Sequence, residues 1–265
     1  MKKSTLKYVV MILATAACST VGATTALAHD TWAVMKDYTL TKPATAALGV
    51  VSSHVFVIPA KEFVTPDKVE KAFFLGPDGA ETAAIPGEKG VFQSKHALKT
   101  SGTHLAVAVS PPGFSSKTTE GYKQGKTKKD LKDVVSCSYS EKFSKALLTV
   151  GASSGEAFSK TLGHSLEIIP LQDPTKMKVG DVVSIKVLFQ GKPLLSATVS
   201  GVYAGFSEEP ATFAYTTSTN KEGIAKIKLI HNGTWLLLVK QKFDYPDTTV
   251  CDTKSFSAAL TFNVK

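Results

Sequence analysis

Val183-Ser184-Ile185-Lys186-Val187-Leu188-Phe189-Gln190-Gly191-Lys192-Pro193-Leu194 and the Leu195-Ser196-Ala197-Thr198-Val199-Ser200-Gly201-Val202-Tyr203 that follows decide the fold. Val183, Ile185, Val187 and Phe189 recur with a period of two, which places them on one face of a β-strand. Gly191-Lys192-Pro193-Leu194 is turn chemistry: glycine frees φ, and proline removes a ladder donor. Ala197, Val199, Gly201 and Tyr203 alternate on the way back. An antiparallel pair of half-buried strands is the expectation.

The same grammar extends in both directions. Toward the C-terminus, Asn220-Lys221-Glu222-Gly223 predicts a hairpin turn into Ala225, Ile227 and Leu229; Gly233 precedes a strand at 235–239, and Leu260, Phe262 and Val264 form another. Toward the N-terminus, residues 47–58 form a β-branched run closed by Pro59, and residues 69–75 end at the turn Gly76-Pro77-Asp78-Gly79. Leu105, Val107 and Val109 alternate until Pro111-Pro112-Gly113 stops them. Strands at this spacing predict an all-β chain of two antiparallel β-sandwich domains, with the boundary between residues 162 and 163. Residues 115–132 carry six lysines and little apolar area, so they are expected to form a mobile surface loop, or else a docking surface for an acidic partner. Residues 134–150 fit a strand pair or a short helix, and their period does not decide.

The first 28 residues have the grammar of a secretory leader. Lys2, Lys3 and Lys7 precede an apolar run at 8–17, and Ala26 and Ala28 stand at −3 and −1 of a cleavage site. Processing there would leave a mature chain of 237 residues starting at His29 and place it in the periplasm. All 31 basic residues are lysine, and losing three with the leader lowers the formal charge from +9 to +6. Lysine lacks the planar fork that reads phosphates and bases, so nucleic acid is not an expected partner. No later apolar stretch approaches the roughly 20 residues needed to span a bilayer, so the mature chain is not expected to be membrane-embedded. Cys18 leaves with the leader, and the remaining pair, Cys137 and Cys251, is expected to form a disulfide in an oxidising compartment. The alternative use of Cys18, lipidation, lacks the leucine usual three residues upstream.

Three pieces together, Ala28-His29-Asp30-x-Trp32, Leu162-Gly163-His164-Ser165-Leu166-Glu167-Ile168-Ile169-Pro170-Leu171 and the run from Lys178-Val179-Gly180-Asp181 through Leu194, resemble a family of exported bacterial proteins. That family has long been labelled a domain of unknown function and is often described as the periplasmic component of nickel or cobalt transport systems. The resemblance covers essentially the whole mature chain and implies capture of a divalent transition metal for an inner-membrane metal transporter. The half from about residue 172 also resembles a transthyretin-like, carboxypeptidase-regulatory sandwich, a generic module that says little about chemistry.

The mature start carries its own chemical argument. An N-terminal histidine offers its α-amine and ring Nδ1 to one ion, closing a six-membered chelate, and imidazole suits nickel, copper, zinc and cobalt. Tight binding needs a further nitrogen. His54, in Ser52-Ser53-His54-Val55-Phe56, is the first choice, since the family resemblance places a histidine near this point. The competing role is a buried histidine satisfied by main chain. His104 ranks second: alternation with Leu105 and Val107 turns it from the core toward a surface or cleft. Asp30 is either an oxygen ligand or a carboxylate that orients an imidazole. Trp32 is expected in the core or a wall, His96 exposed, His164 at the domain junction and His231 in a turn. No hydrolase, zincin or nucleotide-binding signature is present.

The expected protein is therefore a non-enzymatic periplasmic nickel or cobalt binder holding the ion with His29, His54 and, as a third contributor, His104. Copper is the rival metal, because an amine and two imidazoles bind it more strongly and compose the histidine brace of copper carriers and oxidative enzymes. A metal-free surface or adhesion module is the other rival.

Overall fold

The computed structural model describes residues 29–58, 60 and 63–265; the leader, its cleavage site, Cys18 and Pro59 lie outside them. Strands are the only extended regular elements of the described chain. In order these are β1 (Asp30–Met35), β2 (Thr39–Leu40), β3 (Ala47–Ser53), β4 (Lys71–Leu75), β5 (Glu81–Pro86) and β6 (Val91–Ser94). Next come β7 (Gly102–Val109), β8 (Gly113–Thr118), β9 (Gly121–Gln124), β10 (Val134–Val150), β11 (Leu166–Pro170) and β12 (Val182–Phe189). The last six are β13 (Lys192–Pro193), β14 (Thr198–Tyr203), β15 (Tyr215–Ser218), β16 (Ile224–Lys228), β17 (Gly233–Asp244) and β18 (Thr253–Val264). Among the described residues no helix is long and apolar enough to cross a membrane.

One long sheet runs β1-β3-β6-β5-β4-β7-β10-β18-β17-β14-β15, with β2, β8 and β9 attached through β10. A second sheet joins β11, β12, β13 and β16. Most ladders are antiparallel, as the short turns require, but β10 runs parallel to β18 from Ser138↔Thr253 to Ala146↔Thr261. The proposed boundary at 162/163 falls between β10 and β11, and the strands on its two sides share this ladder.

Three layers result from side-chain alternation. Leu105, Val107 and Leu147 face Ile168, Val183, Ile185 and Val187 of the second sheet. Ala106, Ala108 and Leu148, one residue out of phase, face Leu48, Val50 and Phe92 of β3 and β6. A third cluster packs Trp32 and Val34 of β1 on Leu236 and Leu238 of β17. The central strands are therefore buried on both sides, and each fully buried leucine or phenylalanine contributes about 1.5–3 kcal/mol. The long sheet folds back so that β1 lies across β10 and β18. The Ser144 hydroxyl donates to Thr31 O at 3.2 Å, and that of Thr261 donates to Ala33 O at 2.7 Å.

The structure corrects several local expectations. The strands at 183–189 and 197–203 do not pair with each other: β12 ladders with β11, β13 and β16, and β14 with β15 and β17 in the long sheet. Much of 115–132 belongs to the β8–β9 hairpin docked on β10, with Ser115↔Gln124 and Cys137↔Ser116 in register. Lysine-rich composition hid it because β8 buries only small side chains, Ser116 and Thr118. Residues 134–150 are one 17-residue strand. The Asn220–Gly223 turn does not close a hairpin, since β15 pairs with β14 and β16 pairs with β12 in the other sheet. Asn220 Oδ1 accepts the Ile224 N–H at 2.8 Å to tighten this crossing. At Gly223, φ is +73° and an added Cβ would meet Val187 O at 2.7 Å, so only glycine passes there without strain.

Candidate metal site

The ladder between β1 and β3 brings the first site together. Asp30 pairs with Ser53 in an antiparallel register, so His29 and His54 lie one step beyond the last pair. Opposed residues have Cβ atoms about 4.5–5.5 Å apart, close enough for two imidazoles to touch. The ring centroids are 4.2 Å apart and their planes inclined by 35°. His54 is not itself in a strand as expected. β3 ends at Ser53, whose hydroxyl accepts the Val55 N–H at 3.2 Å and turns the chain out of the ladder.

Charges crowd the pair. Lys142 Nζ donates to His29 O at 3.0 Å and lies 3.4 Å from Thr31 Oγ1. Asp30 Oδ1 is engaged by Lys240 Nζ at 2.5 Å, so that oxygen is already paired. The His29 ring is held below its ordinary pKa by partial burial, then by His54 and Lys142, with Asp30 opposing. At neutral pH it is therefore an unprotonated imidazole with a lone pair to give. Lys142 is itself pushed down, first by burial.

Beside His54 lies a cavity of about 20 Å³, walled by Asp30, Trp32, Phe56, Leu236 and Leu238, and by Glu209 from the β14–β15 connection. Trp32, 2% exposed, is a wall residue as expected, and its Nε1 has no hydrogen-bond partner. Glu209 was not singled out from the sequence; Ser207-Glu208-Glu209-Pro210 reads only as a polar loop.

His104 stands elsewhere. It pairs with Leu148 of β10, whereas Lys142, which touches His29, is six residues along that strand, about 20 Å away at 3.3 Å per residue. Nor does it face a surface or cleft. It is 2% exposed because both faces of β7 are covered, and its Nδ1 lies 3.2 Å from Gly102 O. His96 is exposed, and His231 sits in its turn, stacked on Tyr203 at 4.2 Å. His164 stacks on Phe143 at 4.7 Å, beside the buried Lys145–Glu167 ion pair. Cys137 and Cys251 form the expected disulfide, with Cα atoms 4.9 Å apart. Among the described residues no three His, Cys, Asp or Glu side chains group closely enough to hold a metal ion. The histidine pair offers two ring nitrogens, so a metal held there would need a further donor.

Among known proteins, the family described as domain of unknown function (DUF4198) matches residues 26–242. The chain belongs to the DUF4198 family. The part of the chain matched as DUF4198 takes in His29, His54 and Glu209 and stops before Cys251 and β18. No curated protein matches this DUF4198 chain. Among solved structures, a Salmonella alpha-2-macroglobulin mutant is similar at 11% identity and TM-score 0.25, over 88% of this chain and 15% of its own. Murine CEACAM1b is similar at 8% and 0.22, over 89% and 99%. The D00-D0 domain of intimin is similar at 13% and 0.21, over 88% and 98%. The chain thus spans a small part of the macroglobulin, and superpositions at such scores carry no argument.

Proposed function

We propose that this DUF4198 protein is an exported, non-enzymatic binder of a divalent transition metal, nickel or cobalt, which it captures in the periplasm and delivers to, or buffers for, an uptake transporter. The carrying observation is the 4.2 Å contact between the His29 and His54 rings. Two imidazoles on adjacent positions of one ion, each nitrogen at about 2.0 Å, have ring centres roughly 4–4.5 Å apart, whereas opposite positions need about 6 Å. The residues present therefore fit a cis pair. Adjacent positions suit the square-planar or octahedral preferences of nickel and cobalt better than the opposed imidazoles of a copper brace. After cleavage before His29, its α-amine would be the third nitrogen, and the depressed His29 pKa keeps the ring free at neutral pH.

The test is mass spectrometry of protein exported with its own leader, followed by titration with nickel, cobalt and copper. A mass starting at His29, with one tightly held ion that His29→Ala or His54→Ala releases, is the expected result. A His29 start that holds no ion would overturn the proposal. An N-terminal tag would block the amine, so the untagged protein is used.

A further inference from the structure

We propose that Glu209, carried on the connection between β14 and β15, is the carboxylate that draws the divalent cation to the histidine pair; this rests on the metal-binding reading above. The need for such a group comes from the local charges. A cation approaching His29 and His54 meets the ammonium groups of Lys142 and Lys240, and Asp30 is already engaged by Lys240. Two fixed positive charges and one paired negative charge make a poor landing point for a dication.

Glu209 supplies what is missing. Apart from Asp30 it is the only acidic residue among those lining the cavity beside His54, and it appears in no ion pair among the described residues. Its backbone is fixed in two ways. The Glu209 N–H donates to Ser207 Oγ at 2.9 Å, and two residues later the Ala211 N–H donates to His54 O at 3.2 Å. Ala211 adopts φ +53°, a left-handed conformation that disfavours a non-glycine residue and that the contact with His54 helps to hold. The loop is thus tied to the main chain of the very histidine it serves. Glu208, its neighbour in sequence, is absent from the cavity wall and serves as the internal control.

Nickel is titrated into the processed wild-type protein and into Glu209→Gln, Glu209→Asp, Glu208→Gln and His29→Ala, with thermal unfolding of each metal-free protein confirming its fold. Glu209→Gln is expected to weaken nickel about 10-fold, the low end of what a well-placed opposite charge does for capture of an ion. It is also expected to flatten the decline of affinity with added salt, while Glu208→Gln leaves both unchanged. Glu209→Asp keeps the charge and is expected to fall between wild type and Glu209→Gln. Wild-type affinity and salt dependence in Glu209→Gln, alongside loss in His29→Ala, would overturn this inference alone. A processed wild-type protein that holds no nickel would remove the metal-binding reading with it.

Discussion

Glu167 shows how much a single side chain can organise inside a β-core. It is 1% exposed, pairs with Lys145 at 2.5 Å, and accepts the Leu162 and Gly163 N–H groups at 2.7 and 3.2 Å. Glu167→Leu would strand two main-chain donors and a buried ammonium, whereas Lys145→Met leaves the carboxylate with both amides. Glu167→Leu is therefore expected to lower stability by about 3–5 kcal/mol, and Lys145→Met by clearly less, in urea denaturation at pH 7. At this scale the sequence was partly legible. His29 and His54 could be named because N-terminal imidazole chemistry is local. Glu167 could not be assigned a role because its buried partner Lys145 lies on another strand, nor Glu209, because the cavity it lines is built from β1, β17 and the segment after β3.

At the scale of elements, β10 carries the greatest share of the long-range order. Its 17 residues pair with β7, β8, β18 and β2, and its Cys137 is bridged to Cys251 across 114 residues. A closed loop of that length removes much freedom from the unfolded chain. Cys137→Ser with Cys251→Ser is expected to cost about 2–5 kcal/mol, read as a lower urea midpoint, and reduction of the wild type should match it. Strand β12 was legible because one face is apolar and the period is clean, and β17 because a continuous apolar run, Trp235 to Val239, follows Gly233. The length of β10 was hidden by Ser136, Ser138, Ser140 and Lys142 in its first half, where one partner is a polar hairpin. The spacing of strands suggested two sandwiches, but spacing carries no information about which strands share a ladder, and β10 and β18 on the two sides of 162/163 do.

Across the whole molecule, stability should depend on acid through buried histidine. The His164 pKa is pushed down to about 4, first by burial and then by the nearby Lys145 ammonium, with Glu167 opposing. In the unfolded chain the ring titrates near 6.5. As pH falls the unfolded chain takes up the proton first, so this contribution is complete above about pH 6.5 and is lost on the way down to about 4. His104 and His29 shift in the same direction, both chiefly through burial. The melting temperature of the wild type is expected to fall between pH 6.5 and 4.5, and His164→Phe to fall less steeply over that interval. All-β class and strand alternation were legible at this scale, but the three-layer arrangement was not, since it depends on a sheet folding back over itself. The position of β18 between β10 and β17 also orders events in time. A ribosome delivers residues 253–264 after every other described strand, yet without them β17 has no neighbour on one side and β10 loses its longest one. The ladders on either side of β18 therefore close last, and the pairing that joins the two halves of the chain waits on the final residues to emerge.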